Sequence, residues 1–214
     1  MGKNSGPAKS SPRVLPREQR REQLIAATIH SISRNGLSGT TMATITKEAG
    51  LSLGIANLHF KTKDKLLVAT LEKVTNEFNQ GQAAILSPSN EVGLSQKLHA
   101  MVEFNLSPRL TQRNKLAVWF AFWGEARFRP TYQRICNKVD LNSQREISRL
   151  FEEIIAEGAY TDISAELLAC GYTALLDGLW LDLLVTPGTR TRDAARRVLL
   201  DYLARAFPNH IETS

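Results

Sequence analysis

The chain has 214 residues, of which 43% are hydrophobic and 22% charged, a composition typical of a folded globular protein and not of a disordered one. Its basic first sixteen residues run into further charge with no apolar stretch behind them, so a secretory signal is not expected. Two cysteines, Cys136 and Cys170, are too few for a disulfide framework. We expect them to lie in the core of a cytoplasmic protein.

The net charge of +6 is concentrated at the N-terminus. Residues 1–63 hold ten Lys or Arg and three acids, a charge of +7, whereas residues 64–214 hold 17 and 18, a charge of −1. A basic segment on a nearly neutral remainder indicates a polyanionic partner for that segment. A solvated basic surface is the alternative, and local motifs must distinguish the two.

The N-terminal region begins with a stretch rich in Gly, Pro and Ser, residues 1–16, which predicts a flexible arm. From Arg17 onward apolar residues recur every three or four positions, which predicts a helix. That helix is expected to end near Asn35 and Gly36, because glycine commonly terminates helices.

A second, shorter helix follows in the sequence. Thr40 or Thr41 can cap it, since a threonine hydroxyl accepts a hydrogen bond from a free backbone N–H in the first turn. Its buried face is predicted to carry Met42, Ile45 and Ala49.

Gly50 supplies a turn, after which Ser52 can cap a third helix that ends near Phe60. Such a short helix is marginal in isolation, so it must pack between its neighbours. A helix, a turn and a second helix form the arrangement that places a recognition helix in the major groove of DNA. The predicted inner residues are Ile45, Ile55 and Phe60. The predicted exposed contacts are Ser52, Leu53, Gly54 and Asn57.

The remainder of the chain also reads as helices, without strand alternation. A long helix begins beyond Thr62 with one apolar face, made of Leu67, Leu71, Val74 and Phe78. After a loop at 86–93, further helices are predicted at about 91–106, 112–127, 131–157, 162–185 and 191–206. We therefore predict an all-α fold, with an N-terminal three-helix helix-turn-helix domain at 17–63 and a C-terminal helical ligand-binding and dimerisation domain at 64–214.

The stretch TMATITKEAGLSLGIANLHFKTKDKLL, residues 41–67, resembles the DNA-binding signature of the TetR family of bacterial repressors. The Ala-Gly turn, the Ser-x-Gly helix start, the His-Phe pair and the Lys before Leu-Leu lie at the family's spacing. The resemblance implies a homodimer that binds an inverted-repeat operator in double-stranded DNA. The family often has Tyr at the position of Asn57 or Leu58, so individual contacts are expected to differ here.

Three more residues are candidate contacts to the DNA backbone. Lys63 opens the fourth helix beside the groove and either contacts a phosphate or is simply solvated. His59 either donates to a phosphate or lies at the junction of the two domains. Thr41 caps its helix in either case, and its hydroxyl can also reach a phosphate.

The C-terminal half combines aromatic residues with acids in apolar helices. Trp119 and Trp123 are four residues apart, and Asp177 and Trp180 three apart, so each pair lies on one helix face. A carboxylate in an apolar helix must be paired or neutralised. Asp177 therefore faces either a bound cation or an internal arginine. The candidate arginines are Arg127 and Arg134.

The apolar helix at 167–185 raises the question of a membrane, because nineteen helical residues span roughly 28 Å. Asp177 and Asp182 would be costly inside a bilayer. We instead expect this helix to be buried on two faces, by its own fold on one side and by a dimer mate on the other.

AVWFAFWGEARFRPTYQRI and GYTALLDGLWLDLL are similar to the C-terminal domain of the TetR-family repressors that respond to choline and control glycine-betaine synthesis. This resemblance implies a quaternary-ammonium effector such as choline, which aromatic faces and a carboxylate would hold. A different small or hydrophobic ligand is the alternative. The candidate effector-binding residues are Trp119, Trp123, Glu125, Tyr132, Asp177 and Trp180.

An enzyme is not indicated by the sequence. There is no nucleophile elbow, metal-ligand spacing or phosphate loop, and the four histidines are far apart. We therefore predict no catalytic residue, no metal and no cofactor. A basic segment that binds an anionic lipid surface is the remaining alternative to DNA binding.

Overall fold

The computed structural model of the chain describes residues 16–87 and 91–211. Within these stretches the chain folds into nine α-helices, and the only β pairing is an isolated bridge between Pro187 and Arg190. The helices are α1 (Arg17–Gly39), α2 (Met42–Ala49), α3 (Leu53–His59), α4 (Lys63–Leu86), α5 (Leu94–Asn105), α6 (Arg113–Ala126), α7 (Pro130–Gly158), α8 (Ala165–Val185) and α9 (Arg192–Ala206). The all-α prediction is confirmed. The predicted arm lies outside the described residues except for Pro16.

Helix α1 contains a break at Gly36. This residue has a φ of 67° and a ψ of 175°, a conformation that glycine adopts readily and other residues do not. The hydroxyl of Thr40 donates to the Gly36 carbonyl at 2.7 Å, which satisfies an acceptor that the break leaves free. The predicted helix end near Gly36 thus corresponds to a change of direction, followed by one more turn.

The short helices α2 and α3 begin at the predicted side-chain caps. The Thr41 hydroxyl accepts from the backbone N–H of Thr44 at 3.1 Å, and the Thr44 hydroxyl accepts from the N–H of Thr41 at 2.8 Å. The Ser52 hydroxyl accepts from the N–H of Ile55 at 3.3 Å. Gly50 ends α2 with a φ of 62°. These local bonds fix the entry of both helices of the motif.

The N-terminal segment has a small core of its own, which we call the head core. Helix α3 packs into it through Ala56, which is fully buried, while Ile55 is only partly buried. The prediction that Ile55 points inward is therefore only half right. A small residue at the contact lets the backbone of α3 approach its neighbours closely. The head core consists of Leu24, Ile25, Ala27, Ile45, Ala49, Ala56, Phe60, Leu66 and Ala69.

A second, larger core, which we call the body core, lies among α4 to α9. Helix α4 contributes to both cores: Leu66 and Ala69 belong to the head core, whereas Leu67 and Leu71 belong to the body core. Ile32 of α1 also belongs to the body core. The domain boundary expected between residues 63 and 64 thus falls at the start of a helix that the two cores share.

Helix α8 is long and apolar enough to cross a membrane, judged by length and composition alone. It begins three residues later than predicted, because Asp162 has a φ of 62° and Ser164 caps the helix. One side contacts α6, α7 and α9. The opposite side is exposed although it is uncharged. We call this line of residues the α8 stripe: Leu167, Cys170, Ala174, Gly178, Leu181 and Val185.

Candidate DNA-reading face and effector cavity

The outer face of α3 is exposed to solvent. Ser52, Leu53, Gly54 and Asn57 all lie there, as the sequence predicted. Leu58, with 76% of its surface exposed, lies beside them and was not among the predicted contacts. Its signal in the sequence is its position four residues after Gly54, on the same helix face. An exposed leucine on a recognition helix can contact a thymine methyl group.

Gly54 has room for a side chain. A Cβ built there would meet only the Ser52 Oγ, at 3.8 Å, which is an ordinary van der Waals distance. The packing of the protein therefore does not require glycine at this position. What the missing side chain does provide is a low surface on α3, across which the helix backbone can approach a base edge or a phosphate.

Lys63 is held in place by the fold. Its Nζ donates to the carbonyl of Thr40 at 2.9 Å, which joins the start of α4 to the residue before the α2 cap. Lys63 is half-buried and is therefore not a freely solvated lysine, while its ammonium keeps two further protons to donate. His59 is also half-buried, at the end of α3.

The arginines of α1 are engaged in the packing of the head. The Arg21 guanidinium lies over the Phe60 ring, 4.5 Å from its centroid. Arg20 donates to the Gln23 side chain at 2.9 Å, and Gln23 donates to the carbonyl of Ala49 at 2.7 Å. These contacts fix the orientation of α1 against the last turn of α2, in addition to any electrostatic role.

A cavity of about 190 Å³ opens among α4, α6, α7 and α8. Three of the predicted effector residues, Trp119, Asp177 and Trp180, line it. Asp140 was not predicted. The sequence signal that could have found it is Ser143, a polar residue on the otherwise apolar buried face of α7, three residues after Asp140. The described lining residues are Phe78, Trp119, Val139, Asp140, Ser143, Gln144, Cys170, Thr173, Ala174, Leu176, Asp177 and Trp180.

Three aromatic rings form one wall of this cavity. The centroids of Trp119 and Trp180 are 5.6 Å apart with their planes at 89°, and Phe78 lies 5.8 Å from each of them. The indole N–H of Trp180 donates to the carbonyl of Asn105 at 2.9 Å, so this ring is fixed. The buried indole N–H of Trp119 has no acceptor among the described residues. Trp119 is therefore the less constrained of the two.

Two carboxylates share the cavity with these rings. Burial, together with the charge of Asp140, raises the pKa of Asp177 to about 7. Burial likewise raises the pKa of Asp140 to about 6, although this residue stands at the mouth, where solvent still reaches it. Of the described lining residues none is Lys, Arg or His. The cavity therefore becomes strongly negative when both acids ionise, and a cation would relieve that charge.

The internal arginine partner considered for Asp177 is not found in the described part of the chain. The Arg127 guanidinium lies over the Phe128 ring, 5.9 Å from its centroid, and Arg134 donates to the Thr131 hydroxyl at 3.4 Å. Asp177 makes no ion pair within residues 16–87 and 91–211. The bound cation stays a prediction for Asp177.

The other predicted effector residues lie away from the cavity. Glu125 and Tyr132 both contact Arg129: the Arg129 Nε lies 3.7 Å from the Glu125 Oε2, and its guanidinium lies 5.4 Å from the Tyr132 ring centroid. Glu125 is six residues beyond Trp119 and thus about 240° around the helix, which directs it to another side. Trp123 lies against Trp119, with centroids 6.2 Å apart, and does not line the cavity.

The cysteines are divided between core and surface. Cys136 is buried, as expected, and burial raises the pKa of its thiol to about 11. Cys170 is exposed, so the expectation that it lies in the core is wrong. It occupies the outward side of α8, at the rim of the cavity.

Comparison with known proteins decides the family. Residues 24–70 match the bacterial regulatory proteins of the TetR family, and residues 95–208 match the C-terminal domain of BetI-type transcriptional repressors. The chain belongs to the TetR family and has a BetI-type C-terminal domain. The members of this family are transcriptional regulators rather than enzymes; they bind DNA and act as dimers.

Two curated relatives illustrate the similarity of this BetI-type chain along most of its length. The transcriptional regulator BetI of Paraburkholderia phytofirmans is 34% identical over 197 residues, which cover 90% of this chain and 95% of the relative. The BetI of Vibrio atlanticus is 30% identical over 192 residues, which cover 90% and 94%.

Solved structures share the fold. A transcriptional regulator from Pseudomonas aeruginosa superposes with a TM-score of 0.79 at 28% identity, over 92% of this chain and 95% of that one. A regulator from Saccharomonospora viridis, solved in complex with choline, gives a TM-score of 0.76 at 23% identity, over 87% and 96%.

Proposed function

We propose that this BetI-type chain is a repressor that binds an inverted-repeat operator as a homodimer and releases it when a small quaternary-ammonium cation such as choline enters the cavity. The observation that carries this proposal is the combination of three aromatic rings and two carboxylates without ion-pair partners in the described chain. A quaternary ammonium has no N–H to donate, so aromatic faces and a negative charge are the groups that can hold it. The BetI relatives and the choline complex of the Saccharomonospora regulator support the same ligand class.

The size of the cavity favours a small effector over a bulky hydrophobic drug. Its volume is about 190 Å³. Sites for drug-sized ligands measure about 300–1,000 Å³. A compact trimethylammonium group suits this volume, and its positive charge suits Asp140 and Asp177.

The DNA-reading role is assigned to the exposed face of α3. We propose that Ser52, Leu53, Gly54, Asn57 and Leu58 meet the major groove. The phosphates on either side would be contacted by Thr41, His59 and Lys63. The regulated genes are proposed to be those for glycine-betaine synthesis, on the basis of the BetI relatives alone, and the protein would act in the cytoplasm, where its operator lies.

The energy required for switching is within reach of such a cavity. Shifting a dimer from almost fully bound to almost fully released takes roughly 5.5 kcal/mol of differential affinity. Two effector sites share this, and cation–π contacts contribute about 1 kcal/mol each, rising to about 2 when desolvated. Three aromatic rings and a carboxylate at each site are sufficient without invoking strain.

The test is a competition on operator DNA. Fluorescence anisotropy with double-stranded DNA fragments from the region upstream of the gene that encodes this protein should show tight binding that choline reverses. The neutral isostere 3,3-dimethyl-1-butanol has the same shape without the charge and should not reverse it. If no duplex fragment binds at low ionic strength, the DNA-binding role is excluded; if millimolar choline leaves binding unaltered, choline is excluded as the effector.

The residues of the cage can be tested by a matched pair of substitutions on one helix. Trp119→Ala removes a ring that lines the cavity, whereas Trp123→Ala removes its neighbour outside. We expect choline affinity, measured by isothermal titration calorimetry, to fall by about tenfold or more in Trp119→Ala, since a desolvated cation–π contact is worth up to about 2 kcal/mol. Equal losses in both variants would contradict the assignment of the cage.

A further inference from the structure

We infer that the effector cavity is completed by the second subunit: the partner's α8 covers its mouth, so that effector binding and dimerisation strengthen each other. The inference rests on the proposed function, because it concerns the same cavity. It goes beyond the proposed function because it assigns one wall of the effector cavity to the second subunit.

The mouth of the cavity opens on the exposed side of α8. Cys170 and Ala174 line the cavity, and both are exposed members of the α8 stripe. Asp177 lies one turn further along the same edge, half-buried. From α7, exposed Asp140 forms the opposite rim. Within a single chain, therefore, a bound cation would remain in contact with water on this side.

The α8 stripe has the pattern of a surface that meets its own copy. Its positions follow one another at three and four residues, the spacing of a helix–helix seam. Leu167 and Val185 are equally far from Leu176, and so are Ala174 and Gly178, so large residues at the ends enclose small ones at the centre.

Two antiparallel copies of α8 related by a two-fold axis near Leu176 would therefore place Leu167 of one against Val185 of the partner subunit. Their small central residues would allow the two helices to approach closely. A two-fold interface demands this kind of self-complementarity, which is why a second copy of this chain is the occupant we propose. The family's dimeric state is consistent with it.

The same symmetry sets what lies over the cavity. In this arrangement Leu181 of the partner subunit lies next to Gly171 and close to Cys170, at the rim. The partner would thus exclude water from the mouth, and excluding water strengthens the attraction between the cation and the two carboxylates. By thermodynamic linkage, the factor by which dimerisation tightens choline binding is the factor by which choline tightens the dimer.

The experiment uses the full chain with one charge placed in the stripe, away from the cavity lining. Leu181→Glu puts a carboxylate into the proposed interface, and Leu141→Glu makes the same change at an exposed leucine of α7 outside the stripe. Sedimentation velocity should show Leu181→Glu as a monomer and Leu141→Glu as a dimer. Calorimetry should show choline affinity lowered by about tenfold in Leu181→Glu, a coupling of ordinary size, and unchanged in Leu141→Glu.

A readout that needs no effector separates this inference from the proposed function. Cys170 should react slowly with iodoacetamide in the wild-type dimer and quickly in the Leu181→Glu monomer, while buried Cys136 stays slow in both. If wild-type protein ignores choline, the proposed effector fails, yet protection of Cys170 still supports closure by the partner.

Three outcomes would overturn the inference. They are a Leu181→Glu protein that stays dimeric, a Leu181→Glu monomer that binds choline as tightly as wild type, and a Cys170 that reacts equally fast in dimer and monomer. Val185→Glu, at the next exposed position of the stripe, replaces Leu181→Glu if that variant does not fold, and the same expectations apply to it.

Discussion

The guanidinium of Arg129 lies 3.4 Å from the carboxylate of Asp64, at the start of the helix that the head core and the body core share. Asp64 is in the first turn of α4, next to Lys63, and Arg129 lies between α6 and α7. Helix α6 also contributes Trp119 to the cavity and packs against α1. A displacement of α6 on effector binding would therefore reach the head through α1 and through this ion pair.

Breaking this ion pair should weaken the coupling between choline binding and operator release more than it weakens the binding of choline or of the operator. Both side chains are about half exposed or more, so the pair contributes less than about 1 kcal/mol to stability. In Asp64→Asn, which leaves the contacts of Arg129 with Glu125 and Tyr132 in place, we expect nearly unchanged unfolding, choline affinity and operator affinity without choline. The choline concentration that releases the operator should rise, as measured by anisotropy. Arg205→Gln, which breaks the exposed pair with Asp201 on α9, is the control, and an equal rise there would argue against a specific pathway.

Gly54→Ala should make the protein more stable and a poorer DNA binder. The site has space for a Cβ, and alanine in a helix is favoured over glycine by up to about 1 kcal/mol. The added methyl group, however, stands on the face proposed to approach DNA. Gly124→Ala in α6, where a Cβ would meet nothing within 4 Å, should stabilise without changing operator affinity. Thermal unfolding and anisotropy measure the two effects; a Gly54→Ala protein with wild-type operator affinity would remove Gly54 from the contact surface.

Lys63→Ala should weaken binding to all duplex sequences alike and reduce the slope of log affinity against log salt by about one. Because Lys63 also donates to the Thr40 carbonyl, a small loss of stability should accompany this effect. Lys73→Ala, further along α4 and paired with Glu22, is the control for charge alone. A salt slope that stays at the wild-type value in Lys63→Ala would reduce this lysine to its structural role.

Choline affinity should rise with pH and level off above about pH 8. A cation is held by the ionised carboxylates, and the pKa of Asp177 is raised to about 7 and that of Asp140 to about 6. Between pH 5.5 and 8 calorimetry should therefore show a gain of roughly tenfold or more. In Asp177→Asn the affinity should be lower and the pH profile flatter. A flat wild-type profile would mean that neither acid faces the ligand.

The same raised pKa has a consequence for stability. A group whose pKa is raised by folding holds its proton more tightly in the folded protein than in the unfolded chain. The raised pKa of Asp177 therefore adds to the free energy of unfolding at acidic pH, and this addition is lost as the pH rises from about 4 towards 7. Chemical denaturation of ligand-free protein should accordingly show Asp177→Asn gaining stability relative to wild type as the pH is raised to 8. Choline should reverse the trend in wild type only.

The helices and their caps could be predicted because the information is local. Thr41 and Ser52 cap their helices through bonds that span three residues, and Gly50 supplies a turn that few other residues adopt. The apolar periodicity of α4 likewise placed Leu67 and Phe78 correctly on a buried face. None of these features depends on how distant helices meet.

The composition of the cavity could be predicted only in part, because it depends on rotation of whole helices against one another. Trp119 and Trp180 share the wall although 61 positions separate them in the sequence, and only the fold brings them together. Glu125 and Tyr132 have the right chemistry for a cation but lie on another side, occupied with Arg129. Asp140 was missed because α7 shows no aromatic neighbour to draw attention to it.

The double membership of α4 constrains how such regulators can be recombined. Leu66 and Leu67 are adjacent in sequence, yet each is anchored in a different core. In a chimera that joins the N-terminal segment of one repressor to the C-terminal segment of another at residue 63, α4 would come from the second protein. Its residues would then no longer match the head core of the first. A biosensor made by grafting should instead carry α1 and the first two turns of α4 together with the head, and should match the residues on which they rest in α6.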